Sequence, residues 1–533
     1  MAWYVEEALR GTFDHMTTQC GFDRTIWHNR GVHEDQEKLL GGLDRFQREA
    51  VTSLDGPVRI IAGAGAGKTR TITHRIAYAC AQGSWDPSKT MAVTFSVKAA
   101  AEMRSRLTAL GVPESVKAAT FHSAAFQQLR QVWPQVSFSY PPTLIQDLRP
   151  LVKTAYKRVC GQEEADPGQV RDLEAEINWA KVGLIAPKEY VRVCAATHRT
   201  PPAGLDPDRM ADLYEAFEYD KSAHNQMDFN DILLLVCHIL EEEPEAAAVI
   251  RSRIRWMTVD EYQDVSPLQH RLLKLWLDDR DNLCVVGDPA QTIYSFAGAT
   301  SYYLLGFPEE YPSMKADLQL NTDYRSTPQV VNYANRVLSK SPNRGDYLKL
   351  KSNREAGKRI GTTRYQDDVE EAHGVAKRIE RLIHGGADPG QCAVLTRINA
   401  QQPVICAALH ERGIPYRLRT DSGWLDQSAS EVTAVQSSEK TIKDLQQARA
   451  RGQVTVSTIH AAKGLEFGHV FLVGCSEGLL PFGSPREGED LEEERRLMYV
   501  AVTRAEDTLH LSFAEKKDPA SFARRTPSRF VQG

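Results

Sequence analysis

From residue 43 onward, short apolar runs alternate with stretches in which apolar residues recur every three or four positions. The runs 58–61, 90–95, 256–259, 283–286, 391–395, 454–459, 470–473 and 508–512 are β-rich and too short for helices. Helical patterns lie between them, as at Thr71, Ile72, Ile76 and Cys80. This rhythm predicts an α/β fold of parallel sheets joined by helical crossovers. Between about 136 and 224 the strand-like runs disappear. There Val170, Leu173, Ile177, Ala180 and Leu184 recur at helical spacing and predict a helical insertion. Residues 385–390 and 421–452 are polar and read as connectors. Residues 1–42 show no period and stay unassigned; a start codon placed too far upstream, with the true start near Met16 or later, is the alternative for them.

Length and composition narrow the classes. A chain of 533 residues exceeds a single core and implies two to four domains. With 65 Lys and Arg against 70 Asp and Glu, the net charge is −5, so no global basic field draws the protein onto nucleic acid and any such contact is local. The nine cysteines are scattered, without a C-x-x-C pair or zinc spacing, which points to reduced thiols filling cores in a cytoplasmic protein. No apolar run reaches membrane-spanning length, and no signal-peptide core opens the chain.

The candidate chemistry begins where the run 58–61 meets Ala62-Gly63-Ala64-Gly65-Ala66-Gly67-Lys68-Thr69. Glycines let successive backbone N–H groups converge on an anion, the following helix adds its positive end, Lys68 reaches the β/γ-phosphates and Thr69 ligates Mg²⁺. The general phosphate-loop pattern has Gly where Ala62 stands. The run 256–259 ends in Asp260-Glu261, with Gln263 and Asp264 behind. Paired carboxylates at a strand's C-terminal edge suit a magnesium nucleotide, Asp260 in the metal shell and Glu261 on the attacking water. A third strand, 283–286, runs into Gly287-Asp288-Pro289-Ala290-Gln291-Thr292-Ile293-Tyr294-Ser295-Phe296.

With these residues in place, the sequence resembles the UvrD/Rep/PcrA family of superfamily 1 DNA helicases. The ordered matches run from residue 43, around Gln47, to Pro527-Ser528-Arg529-Phe530. Between them lie the phosphate loop, Thr94-Phe95 with Lys98-Ala99-Ala100, Thr120-Phe121-His122-Ser123, Asp228-Phe229-Asn230-Asp231, Asp323-Tyr324-Arg325-Ser326, Arg397-Ile398-Asn399-Ala400-Gln401, His460-Ala461-Ala462-Lys463-Gly464-Leu465-Glu466-Phe467 and the block 492–506. The wording of 176–190 and 291–296 most resembles actinobacterial UvrD-like paralogues.

The resemblance implies two RecA-like parallel-sheet domains with ATP between them: the first at 43–135 and 225–316, interrupted by the helical insertion 136–224, and the second at 317–420 and 453–533. It implies that Gln47 reads the adenine edge while Arg70 and Tyr324 sandwich the ring. Gln291 would sense the γ-phosphate, Glu466 would hold the ribose, and Arg325 and Arg504 would be arginine fingers from the second domain, making hydrolysis depend on domain closure. Phe95, His122, Tyr294 and Phe296 would contact single-stranded DNA.

Departures from the family pattern are equally specific. Relatives commonly carry Trp at the place of Phe296 and Arg at the place of Ala297, and Ser96-Val97 replaces a polar pair. Relatives also insert a large helical domain, 2B, where this chain has only the segment 421–452. The expectation is an ATP-dependent DNA helicase moving 3′ to 5′ on single-stranded DNA and at its junctions with duplex. The alternatives are a DNA-stimulated translocase that unwinds only with a protein partner, a degenerate DNA-binding scaffold, and a small-molecule kinase, which predicts one sheet domain.

Overall fold

The computed structural model describes residues 36–161, 164–419 and 452–531. The expected connector at 421–452 therefore lies, except for Gly452, outside the described residues, as does the segment before residue 36.

Two six-stranded sheets organise the chain. In the first, the strands stand in the order Lys117–Thr120, Thr90–Thr94, Trp256–Val259, Leu283–Gly287, Val58–Ala62 and Ala316–Leu320. In the second, the order is Gly361–Asp367, Ala505–Lys516, Phe467–Leu472, Cys392–Thr396, Val454–Thr458 and Tyr416–Arg419. Every pairing in both is parallel. Strands such as Leu283–Gly287 and Cys392–Thr396 are near-continuous apolar runs, buried throughout, because helices cover both faces. Successive residues serve opposite faces: Val285 joins one core with Val93, Val259 and Trp276, while Cys284 and Val286 join the other with Ile60, Ile72 and Leu318.

The helical insertion has its own core. Helices Arg149–Cys160, Pro167–Val182, Pro187–Thr197 and Pro207–Ala223 pack around Val152, Leu173, Ile177, Tyr190, Leu213 and Phe217. Three of the four begin with Pro in the first helical position, where its missing N–H costs nothing. Two details differ from the sequence reading. Leu184 is not on the periodic helix, which stops at Val182; Leu184 sits beyond it at φ +57 and is half-exposed. The insertion also opens with a two-residue strand, Thr143–Leu144, paired with Gln226–Met227 at its exit, so its two chain ends are tied together.

The junction expected at residue 316 falls inside the first sheet, since Ala316–Leu320 pairs with Val58–Ala62. Its alternating A-D-L-Q-L pattern fits an edge strand with one wet face. Among the described cysteines all are free, and Cys194, Cys237, Cys284, Cys392 and Cys475 are buried. No helix among the described residues is long and apolar enough to cross a membrane.

Candidate nucleotide cleft and nucleic-acid interface

Val58–Ala62 delivers the phosphate loop to the C-terminal edge of the first sheet, and helix Lys68–Ala81 carries it away. Gly65 and Gly67 take φ +71 and +79, values that strain any residue with a Cβ. Space is a second constraint, because a Cβ on Gly65 would stand 2.1 Å from Asp323 Oδ1 and one on Gly63 2.2 Å from Leu350 Cδ2. Ala62 is the last residue of the strand and has no positive φ, so a methyl fits where the general pattern has Gly. The loop is stitched to residues far along the chain: the Tyr324 N–H donates to the Gly65 carbonyl at 3.0 Å, and the Ala64 N–H to the Tyr499 hydroxyl at 3.4 Å. Lys68 Nζ donates to the Ala62 carbonyl at 3.3 Å.

The acidic edge lies on the neighbouring strands. Asp260 is buried, and burial together with the adjacent Glu261 charge pushes its carboxyl up to about 7. Burial acts on Glu261 in the same direction, but Lys68, Lys463 and Arg504 with the Gln263 hydrogen bond outweigh it and hold this carboxyl below its ordinary value. Glu261 also has φ +54, a strained conformation for a residue with a side chain, and one that concentrates at functional sites. Gln263 Nε2 donates to Glu261 Oε2 at 2.6 Å, while Gln263 Oε1 accepts from the Asp288 N–H at 3.0 Å. Asp288 accepts from Gln291 Nε2 at 2.8 Å and from the Tyr499 hydroxyl at 3.2 Å.

Residues of the second sheet domain close the cleft. Its volume is about 560 Å³, and Gly63 to Arg70, Glu261, Gln291, Tyr324, Arg325, Glu466 and Arg504 line it. Arg504 is buried, with Nη1 on the Leu465 carbonyl at 3.0 Å and Nη2 at 3.4 Å from Gln291 Oε1. Burial and the nearby Arg325 charge bring its guanidinium down to about 10. Arg325 pairs with Glu466 at 2.5 Å. Tyr324 is exposed, and its hydroxyl donates to Asp44 Oδ2 at 2.5 Å. Arg70 is exposed at the same cleft. Gln47 is buried instead: its Nε2 donates to the Ala66 carbonyl at 3.0 Å and its Oε1 accepts from the Asp44 N–H at 3.2 Å. Both ends of that amide brace the loop and the helix Arg45–Thr52.

Further contacts tie the lobes near the acidic edge. Lys463 Nζ donates to the Gln291 carbonyl at 2.7 Å and pairs with Asp264. Arg496 Nε donates to the Thr292 carbonyl at 2.7 Å. Beside them runs a row of rings. Phe95 and Tyr294 stack with centroids 6.2 Å apart, Phe296 meets Tyr294 edge-on at 6.1 Å, and His460 meets Phe296 edge-on at 5.8 Å. Lys463 Nζ lies 4.9 Å from the Tyr294 ring centroid, and the Tyr294 hydroxyl donates to the His460 carbonyl at 3.2 Å. Phe296 is 60% exposed and the most open of the row. His122 is buried at 7% exposure and meets Phe229 edge-on at 5.9 Å; burial lowers its imidazole to about 4, so it is a neutral packed ring rather than an open surface group.

The profile of the UvrD/REP helicase N-terminal domain matches residues 43–312, and that of the UvrD-like helicase C-terminal domain matches 318–429 and 431–516. The chain belongs to the UvrD/Rep helicase family. Among similar proteins, the ATP-dependent DNA helicase UvrD2 of Mycobacterium tuberculosis is 38% identical over 93% of this chain and 82% of its own length. The ATP-dependent DNA helicase PcrA of Bacillus subtilis is 26% identical over 93% of this chain and 86% of its own.

Several cleft residues escaped the sequence reading. Arg354 donates to the Arg325 carbonyl at 2.6 Å and pairs with Asp507 at 2.7 Å, and with Glu506 and Arg106 it lines the cleft. Nothing in the spacing around Arg354 marks it, because its partners lie 29 and 153 positions away. His460 and Lys463 stood inside a family motif, which was a usable signal, but their contacts with Phe296, Tyr294 and Asp264 appear only in three dimensions.

Proposed function

We propose that this UvrD/Rep family member is an ATP-dependent DNA helicase that hydrolyses ATP between its two lobes and steps 3′ to 5′ along single-stranded DNA. One observation carries the reading: the phosphate loop and Glu261 of the first lobe share a single cleft with Arg325 and Arg504 of the second. Phosphoryl transfer needs positive charge around the γ-phosphate in the transition state, and here that charge is complete only when both lobes contribute. Lys68 and the loop amides would bind the β/γ-phosphates, Glu261 would take the proton of the attacking water, and Gln291, bonded to Asp288 and facing Arg504, would report the γ-phosphate. Arg70 and Tyr324 would flank the adenine and Glu466 the ribose.

The donor set fits Mg²⁺: the Thr69 hydroxyl and the Asp260 carboxylate are hard oxygen ligands, and Asp260, raised first by burial and then by the adjacent Glu261 charge, is an acid whose ionised form a divalent cation would stabilise. Bound there, the ion would offset phosphate charge. Lys463 links the chemistry to the DNA side, since one ammonium touches the Gln291 carbonyl, Asp264 and the face of Tyr294. Bases would stack along Phe95, Tyr294 and Phe296 without sequence preference. Alternate closing and opening of the lobes would then move the strand.

A second reading, a translocase that opens duplex only with a partner, is favoured by alignment length. The matches to UvrD2 and PcrA extend over 579 and 645 residues, more than the 533 of this chain, so both relatives carry segments that it lacks. ATP hydrolysis with and without single-stranded DNA tests the motor, and the expected result is strong stimulation. Translocation compared with unwinding of a duplex bearing a 3′ tail separates the readings. Fast, processive unwinding by the isolated chain supports the autonomous helicase; fast translocation with weak unwinding supports the second.

A further inference from the structure

We infer that the helical insertion positions the base-stacking loop, through a contact between Val182 and Gly298 that a buried charge cluster holds in register. Gly298 closes the short helical turn Ser295–Ala297, which carries Phe296, and has φ +85. A Cβ there would stand 2.4 Å from Val182 Cγ2, so the loop backbone lies directly against the last residue of helix Pro167–Val182. From the other lobe the same loop is held by the Tyr294 hydroxyl on the His460 carbonyl. The stacking loop is thus gripped from two sides, and one grip belongs to the insertion.

That helix end is fixed with unusual firmness. Lys181, next to Val182, has a side chain only 1% exposed, and its ammonium pairs with Asp228 at 2.5 Å, Asp231 at 2.5 Å and Glu218 at 3.0 Å. Lys221, equally buried, shares the same three carboxylates at 2.6 to 2.7 Å. Asn230 Nδ2 adds a hydrogen bond to Asn178 Oδ1 at 2.9 Å. Asp228 is also the N-cap of helix Phe229–Glu242, accepting from the Asn230 and Asp231 N–H groups. Five charges, three of them (Lys181, Lys221 and Asp228) buried, therefore lock the end of an insertion helix onto the start of a helix of the first lobe. Buried ion pairs are poor sources of stability but fix geometry well, since an alternative arrangement leaves a desolvated charge unpaired. Val182 and Asn178 are positioning residues, acting on DNA through Phe296.

This inference rests on the reading of Phe296 as a base-stacking residue, and a double-mutant cycle separates the two. DNA affinity and the DNA concentration for half-maximal ATPase stimulation are measured for Val182→Ala, Phe296→Ala and the pair. Val182→Ala is expected to raise both constants roughly three- to tenfold, with ATPase activity in the absence of DNA retained. Val182→Ile restores them, and Asn178→Ala shifts them in the same direction. In the Phe296→Ala background Val182→Ala adds nothing, because the loop it positions has lost its ring. Additive losses in the double variant, or an unchanged DNA requirement in Val182→Ala, overturn the inference while leaving the stacking role intact. Full DNA affinity in Phe296→Ala alone removes both.

Discussion

The nucleotide cleft and the ring row lie at the same interface but are built from opposite materials. In the cleft, charged groups with directional partners fix each other: Arg504 is buried, Glu261 is held by Gln263, and Arg325 is paired with Glu466. In the row, contacts are ring on ring near 6 Å, and the outermost ring, Phe296, stands mostly in solvent. A charge-based site in a desolvated setting depends on single atoms, whereas a stacking site tolerates many bases because every base offers a π-face. Substitutions in the cleft should therefore have steep effects on turnover, and those in the row graded effects on affinity.

The largest expected effect is on the arginines. Arg325→Ala or Arg504→Ala should lower kcat by roughly 10³- to 10⁵-fold with far smaller change in nucleotide affinity, because their charge matters most at the transition state. Pre-steady-state binding of a fluorescent ATP analogue beside steady-state turnover measures both, and unimpaired turnover would break the idea that the lobes share one site. Lys68→Ala and Glu261→Gln should follow, with losses on the order of 10²- to 10⁴-fold. Glu261→Gln is the sharper tool: it keeps shape and should still bind MgATP, whereas lost binding would assign Glu261 a structural task.

In the row, Phe296→Ala should weaken single-stranded DNA binding by about 1–3 kcal/mol while ATPase activity without DNA persists. A titration by fluorescence anisotropy decides it. A fall in melting temperature without a change in affinity would place the ring in packing.

The cleft also carries a pH signature near neutrality, where the row's His460, brought down to about 3 by burial, stays neutral. The Asp260 carboxyl stands near 7, above its unfolded value, so the folded protein holds this proton more tightly than the unfolded chain. Its contribution to stability is present at low pH and is lost as pH rises from the ordinary carboxylate range through about 7. Metal binding has the opposite slope, because the ligand must be deprotonated: Mg²⁺ affinity should fall about tenfold per pH unit below that value. Isothermal titration of Mg²⁺ with nucleotide between pH 6 and 8 measures the slope, and a flat profile would remove Asp260 from the metal shell. Glu261, held low by its cations, should not titrate in this window.

The contrast in materials also explains what could be read from the chain. The phosphate loop and Asp260-Glu261 were legible because apolar strands deliver them and their chemistry needs contiguous residues. Central strands such as Leu283–Gly287 were visible for the same reason, being buried on both faces. The strands Gly361–Asp367 and Ala316–Leu320 were not, since edge positions leave half their residues polar and the apolar run disappears. Arg354 and the Val182–Gly298 contact were invisible because partners as distant in the chain as Asp507 and Gly298 give them their meaning. His122 shows the reverse case, a motif residue whose place in a packed core no spacing reveals.

The smallest expected effect falls on a directional bond within the row. The Tyr294 hydroxyl donates to the His460 carbonyl at 3.2 Å, joining the lobes across the rings. Tyr294→Phe removes that bond but keeps the stack on Phe95 and the Lys463 ammonium over the ring face. A neutral hydrogen bond of this kind contributes roughly 0.5–1.5 kcal/mol. If the rings hold DNA by stacking alone, single-stranded DNA affinity should not move. What should move is coupling: a looser link between lobes should lower the ratio of DNA-stimulated to unstimulated ATPase by a few fold, and both rates are read from one coupled assay. A loss of DNA affinity as large as that of Phe296→Ala would mean that the hydroxyl itself meets the strand, and the row would then share the atom-by-atom dependence of the cleft.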